Sequence, residues 1–190
     1  MKYFIFIYIS IVLLMVGCGG KPDLTHKYYD IKECKEEMSL ADDIDESERI
    51  DMIIVYKSKR EMELYRDGEV VKTLPVSLGK NPKGNKIMSG DNRTPEGQYW
   101  IRRKLCSQMY YRSLCISYPN PNDIRRAKAR GVNPGGDITV HAQQRWNSNG
   151  YADKKMLSED WTQGCIAVTN EDMEKLWYAV REGVPIIIKK

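Results

Sequence analysis

Apolar and polar positions change rhythm several times along this chain, and each change marks an element. Residues 3–16 are almost wholly apolar, broken only by Ser10. Residues 19–49 lose any apolar period. Gly19-Gly20-Lys21-Pro22 gives way to dense charge such as Asp42-Asp43-Ile44-Asp45-Glu46. That stretch predicts a solvated, charged tether with one loose helix around residues 33–40. From Ile50 onward the pattern becomes that of a packed domain. Met52-Ile53-Ile54-Val55-Tyr56 is a β-branched run of strand length, and Glu61-Met62-Glu63-Leu64-Tyr65 alternates. Asp67-Gly68 then separates this second run from residues 69–74, the signal of a two-residue hairpin turn. Pro75 ends that strand.

Residues 79–97 are rich in Gly, Pro, Asn and Asp and predict a long ordered loop. Strands follow at 98–103 and 114–118. Pro121-Asn122-Asp123 opens a helix that Gly131 stops, and Asn133-Pro134-Gly135-Gly136 turns the chain into a strand over 137–141. Thr169 followed by Asp172 predicts a helix start. Met173, Leu176, Trp177 and Val180 share one face of that helix, Gly183 ends it, and residues 185–189 form a last strand. The sum is a mainly β, α+β chain with short helices and a C-terminal helix, and no internal repeat.

The apolar run near the start is too short to span a bilayer, which needs roughly 20 apolar residues. With Lys2 before it, it fits a secretory signal. It closes in Met15-Val16-Gly17-Cys18, which resembles the lipobox of bacterial lipoproteins, although Leu is usual where Met15 stands. Residues 1–17 are therefore expected to be a signal peptide, 18–49 a tether from a lipid-bearing Cys18, and 50–190 the working domain. The formal charge of +4 and the absence of a basic stripe interleaved with aromatics argue against a nucleic-acid partner.

Export changes how the five cysteines are read. With Cys18 lipidated and Cys165 set aside for chemistry, Cys34, Cys106 and Cys115 remain. An oxidising compartment favours one disulfide and one free thiol among them. Cys106 with Cys115 is a plausible pair, while sequence leaves the connectivity open. No Cys-x-x-Cys is present, and His26 lies in the tether, so a zinc site is not expected.

Cys165 follows Gly164, and glycine allows the tight bend and close backbone approach that an exposed nucleophile needs. A lone cysteine is more often structural. His141, the single histidine beyond the tether, ends its strand and would supply the base that a thiol requires near neutral pH, the alternative being a hydrogen-bonded structural histidine.

His141, a gap, then Thr162-Gln163-Gly164-Cys165 resembles the signature of the L,D-transpeptidase catalytic domain (YkuD) family. The segments Val76-Ser77-Leu78-Gly79-Lys80-Asn81-Pro82, Gly90-Asp91-Asn92-Arg93-Thr94-Pro95-Glu96-Gly97, Ile116-Ser117-Tyr118-Pro119-Asn120 and Pro134-Gly135-Gly136-Asp137-Ile138-Thr139-Val140-His141 are similar to that family's loops. Two positions depart from it. Ala142 stands where Gly usually follows the histidine, and Ala167 stands where many members carry Arg. The Cys165-Ile166-Ala167-Val168 form is similar to a subgroup with hydrolytic members.

The resemblance implies a mixed β-sandwich or barrel-like fold with Cys165 and His141 facing each other in a cleft. It implies peptidoglycan stem peptides as substrates and no metal or organic cofactor. Cys165 would form a thioester with a stem peptide, and His141 would shuttle the proton. An amine on a second stem, or on an envelope protein, would then accept the acyl group. Water in its place would make a carboxypeptidase or a linkage-cleaving amidase. A third reading is an inactive wall-binding lipoprotein. Thr162 and Gly164 would shape the oxyanion pocket, Trp161 would wall the cleft, and Arg93 would hold a substrate carboxylate. Asn170 reads as a helix cap. The protein would act at the periplasmic face of the envelope, held to a membrane by its lipid.

Overall fold

The computed structural model describes residues 30–40 and 46–190. A helix α1 (Ile31–Leu40) precedes a β-meander of β1 (Met52–Tyr56), β2 (Glu61–Arg66) and β3 (Glu69–Pro75). A long hairpin follows, made of β4 (Gly97–Ser107) and β5 (Tyr111–Ile116). Then come α2 (Pro121–Lys128), β6 (Thr139–His141), the short α3 (Asp153–Leu157), β7 (Ile166–Ala167), α4 (Asn170–Ala179) and β8 (Pro185–Lys189). The eight strands form one sheet in the order β3-β2-β1-β8-β4-β5-β6-β7. The β1–β8 and β6–β7 pairs are parallel and the other pairs are antiparallel.

The two ends of that order meet. Two residues beyond β3, Ser77 exchanges main-chain hydrogen bonds of 2.9 Å in both directions with Ala167 of β7. The sheet is thereby curled almost into a barrel, and the fold is of the mainly β kind the sequence predicts. Its interior holds Ile53, Val55, Met62, Leu74, Ile101, Leu114, Val140, Ile166, Ile186 and Ile188. Helix α4 packs Met173, Leu176 and Trp177, all fully buried, against this core. The β2–β3 turn has φ of +51° at Asp67 and +82° at Gly68, the left-handed geometry that an Asp-Gly pair tolerates best.

Several expectations change. β4 runs through Ser107, and β5 starts at Tyr111 rather than 114. The hairpin register, with Cys106 opposite Arg112 and Ser107 opposite Tyr111, recruits residues whose polar side chains gave no strand signal. β6 begins only at Thr139. Helix α3 was not expected. The helix in the predicted tether is not loose: Cys34 is fully buried and disulfide-bonded to Cys106 of β4, across 72 residues of sequence. This replaces the Cys106–Cys115 pair. In the β4–β5 register Cys106 stands opposite Arg112 and Cys115 opposite Arg103. The two cysteines are therefore three rungs apart, about 10 Å at strand spacing, beyond the reach of a disulfide. Cys115 is a buried free thiol. The expected signal peptide and Cys18 lie outside the described residues. No helix among the described residues is long and apolar enough to cross a membrane.

Candidate active site

The parallel β6–β7 pair brings the two chemical residues together. Val140 is the partner of Ile166, and His141 the partner of Ala167. Side chains alternate along a strand, so Thr139 and His141 share one face of β6. Cys165, one step before β7, comes level with Thr139. Its Sγ accepts a hydrogen bond from the Thr139 hydroxyl at 3.6 Å and lies 3.7 Å from the Asp137 carbonyl.

His141 is 1% exposed. Its Nδ1 lies 2.7 Å from the main-chain oxygen of Ala142. A carbonyl only accepts, so Nδ1 carries the hydrogen and the Nε2 lone pair is left free. The histidine's own carbonyl accepts from Val168 N at 3.0 Å, and Ala142 N donates to Arg112 O at 3.3 Å. The strand end is thus fixed on both sides. The group that holds the ring, illegible in the sequence, is a main-chain carbonyl. It is unaffected by having Ala rather than Gly at residue 142.

Burial pushes the His141 pKa down to about 4. Burial also raises the Cys165 thiol above its usual range, with the hydrogen bonds from Thr139 opposing. The resting pair is a neutral imidazole and a neutral thiol.

The cysteine loop is fixed by its main chain. Thr162 Oγ1 donates to the Cys165 carbonyl at 2.7 Å and accepts from Gly164 N at 3.1 Å. Thr162 N donates to Leu78 O, and its carbonyl accepts from Lys80 N. Gly164 has φ of +130°, and a Cβ there would lie 2.7 Å from the Arg93 carbonyl oxygen. Gly79 is as tightly placed, since its Cβ would meet Asn92 O at 2.2 Å.

The 79–97 loop that supplies these contacts is itself pinned from inside. The buried Lys57 ammonium donates to Gly84 O, Thr94 O and Glu96 at 2.7–2.9 Å. Asp91 accepts from Ile87 N, Met88 N, Arg93 N and the buried Lys86 ammonium.

A family model for the L,D-transpeptidase catalytic domain (YkuD) matches residues 50–188. The chain belongs to this family. Members of this family act on peptidoglycan stem peptides in the cell envelope.

Several solved structures share the fold. The chain is similar to Bd1075 of Bdellovibrio bacteriovorus, with 24% identity and a TM-score of 0.54 over 76% of this chain and 49% of that one. It is similar to Pgp2 of Campylobacter jejuni, described as a helical cell shape determining protein, with 23% identity and a TM-score of 0.56 over 86% and 56%. An L,D-transpeptidase from Mycobacterium smegmatis gives 15% identity and a TM-score of 0.50 over 73% and 58%. The chain thus spans about half the length of these structures. No curated protein matches it by sequence.

Within this L,D-transpeptidase domain, the supporting residues divide. Thr162 and Gly164 build the loop that carries Cys165, and the Gly164 amide donates to Thr162 Oγ1. Arg93 presents its carbonyl to Gly164. Its guanidinium reaches instead to Gly84, with Nη1 3.7 Å from the position of a Cβ there, and acts on the Lys57 ammonium. Trp161 sits where a cleft wall belongs, with its ring 5.6 Å from the His141 ring and at 64° to it.

Asn170 is not the cap, which is Thr169. It ties α4 to the loop after β6, accepting from Gln143 N and donating to Asn147 O and Ser148 O. Thr139 and Tyr110 were missed. For Thr139 the available signal was its place two residues before His141 on the same strand face.

Proposed function

We propose that Cys165 is the nucleophile and His141 the base of a peptidoglycan L,D-transpeptidase that works through a thioester. The observation that carries this reading is the tautomer of His141. With Nδ1–H held by the Ala142 carbonyl, Nε2 is a free base on the strand face that Thr139 shares with the Cys165 thiol. As Sγ attacks the carbonyl of the third stem residue, Nε2 takes the thiol proton, so charge separates only while the new bond forms. The amide of Cys165 would serve the developing oxyanion, because that of Gly164 is committed to Thr162. Collapse expels the terminal D-alanine, whose amine takes the proton back from His141. An acceptor amine then attacks the thioester, and the thiol is regenerated. Thr162 and Gly164 serve by fixing the loop, and Trp161 walls the acyl site. The lipobox-like Val16-Gly17-Cys18 supports an envelope lipoprotein anchored through Cys18, which intact-mass measurement of the processed chain tests.

The deciding experiment supplies purified protein with a labelled tetrapeptide donor and excess acceptor amine. A cross-linked product should grow with acceptor concentration and vanish in Cys165→Ser, while the melting temperature stays put. Shortened monomers alone would reassign the reaction to hydrolysis. Activity retained by the variant would remove Cys165 from its role, and binding without turnover in the unaltered protein would leave a wall-binding module.

A further inference from the structure

The turn between β4 and β5 brings Tyr110 onto the histidine. The two rings stack with centroids 4.1 Å apart and 26° between planes, while Trp161 closes the cover from the side. The Ala142 carbonyl fixes one ring nitrogen of His141 but leaves the plane free to rock about that hydrogen bond. The flat face of Tyr110 is what limits the rocking and keeps water off the ring.

Tyr110 does not hold this place by itself. The next residue, Tyr111, has φ of +56°, a conformation a bulky side chain keeps only when its surroundings impose it. Those surroundings come from α1 and the core. The Tyr111 ring is buried with the Arg112 guanidinium over it at 4.6 Å. Arg112 pairs with Glu37 of α1, and Cys106 on the opposite hairpin strand is bonded to Cys34 of α1. At the tip, Ser107 Oγ accepts from Met109 N and Tyr110 N at 3.0 and 3.3 Å. Helix α1 thus grips both strands of the hairpin, one covalently and one by an ion pair, just below the turn that carries Tyr110.

We propose that Tyr110 is a positioning residue for His141, and that α1 is the clamp that keeps it stacked through the Cys34–Cys106 disulfide and the Glu37–Arg112 pair. This rests on His141 being the base. It also makes the working site conditional on oxidation. A dithiol reductant, itself converted to a disulfide, would return Cys34 and Cys106 to two thiols and leave the clamp to the ion pair alone.

The test compares kcat, KM and the rate at which iodoacetamide alkylates Cys165, in variants shown by circular dichroism to be folded. Tyr110→Ala should lower kcat and alkylation about tenfold, since small misplacements of a catalytic group are costly. Tyr110→Phe should restore both, because the stacked face and not the hydroxyl is used. Cys34→Ser/Cys106→Ser should lower kcat in the same direction and add nothing in the Tyr110→Ala background. Wild-type kcat in Tyr110→Ala, or a Tyr110→Phe variant as impaired as Tyr110→Ala, would overturn the positioning role. Full additivity would overturn the clamp. If the double serine variant does not fold, Glu37→Gln takes its place, and an unchanged kcat there counts against the clamp. His141→Ala separates the two readings. Unchanged alkylation in that variant sinks the base itself, whereas slowed alkylation there with none in Tyr110→Ala sinks only this inference.

Discussion

Cys165 and His141, the proposed nucleophile and base, are held by opposite means. Around Cys165 the structure leaves no room: Gly79, Gly164 and the carbonyls of Asn92 and Arg93 meet main chain to main chain, and the Thr162 hydroxyl joins the loop to itself. Around His141 the fixing is done by side chains laid over a strand end, Tyr110 on one face and Trp161 at the edge. A site fixed by backbone contact fails when atoms are added. A site fixed by a covering ring fails when atoms are removed. The cysteine loop is thus the less tolerant half of the pair, and the histidine cover the more adjustable.

The sharpest way to break this contrast is Gly164→Ala. One methyl group has to displace the Arg93 carbonyl from 2.7 Å and adopt φ of +130°. Turnover should fall about a hundredfold through displacement of the nucleophile. Stability should fall by about 2 kcal/mol. Kinetics with the tetrapeptide donor and urea titration measure the two losses, and an alanine variant equal to the unaltered protein would show the loop to be pliable after all.

A second effect, on stability alone, comes from the burial of the histidine. Its folded pKa of about 4 lies below the ordinary 6.5, because burial penalises the cation. The unfolded chain therefore binds the extra proton first. The contribution from neutral His141 is complete above pH 6.5 and is lost as pH falls towards 4, by roughly 3 kcal/mol in all. Urea midpoints at pH 7 and pH 4.5 should separate by less in His141→Gln than in the unaltered protein. Equal separations would mean that the ring is wetter than its burial indicates.

The smallest effect is expected at Ala142, the departure from the family pattern beside the histidine. Its side chain is fully buried, yet its carbonyl is what His141 uses. Ala142→Gly should lose about 1 kcal/mol of stability through a small void and a freer unfolded chain. Turnover should stay close to that of the unaltered protein. A large fall in kcat would mean that the side chain helps hold the carbonyl in place.

What the sequence revealed and what it hid follow the same division. The strand of β-branched residues at 52–56, the Asp-Gly hairpin turn and the helix carrying Met173, Leu176 and Trp177 were legible because period and turn chemistry are local. So was the family, since the spacing of His141 and Cys165 points to the domain whose model matches residues 50–188. The polar end of the β4–β5 hairpin was not legible, because its pairing is imposed by α1 and the core rather than by its own pattern. The partner of Cys106 was hidden for a related reason: it lies 72 residues away, in a charged segment with no apolar rhythm. The direction of the Arg93 side chain was not legible either, because a loop arginine's direction depends on which buried groups the loop has wrapped around.

The strand order carries a consequence for how the molecule is assembled. β8 stands between β1 and β4, so the meander β3-β2-β1 and the arm β4-β5-β6-β7 are joined in mid-sheet by residues 185–189 alone. Ile53 of β1 pairs with Ile186. Nearly the whole domain must be in hand before its first strand finds a partner on that side. Contacts so distant in sequence slow the search for the native state, since a long loop must close before any stabilisation is gained. A nascent chain threaded out of the cell, with its last segment still in transit, has no way to complete the central sheet. On this topology the sheet, and with it the strand pair that carries His141 and Cys165, is complete only once residues 185–189 have arrived.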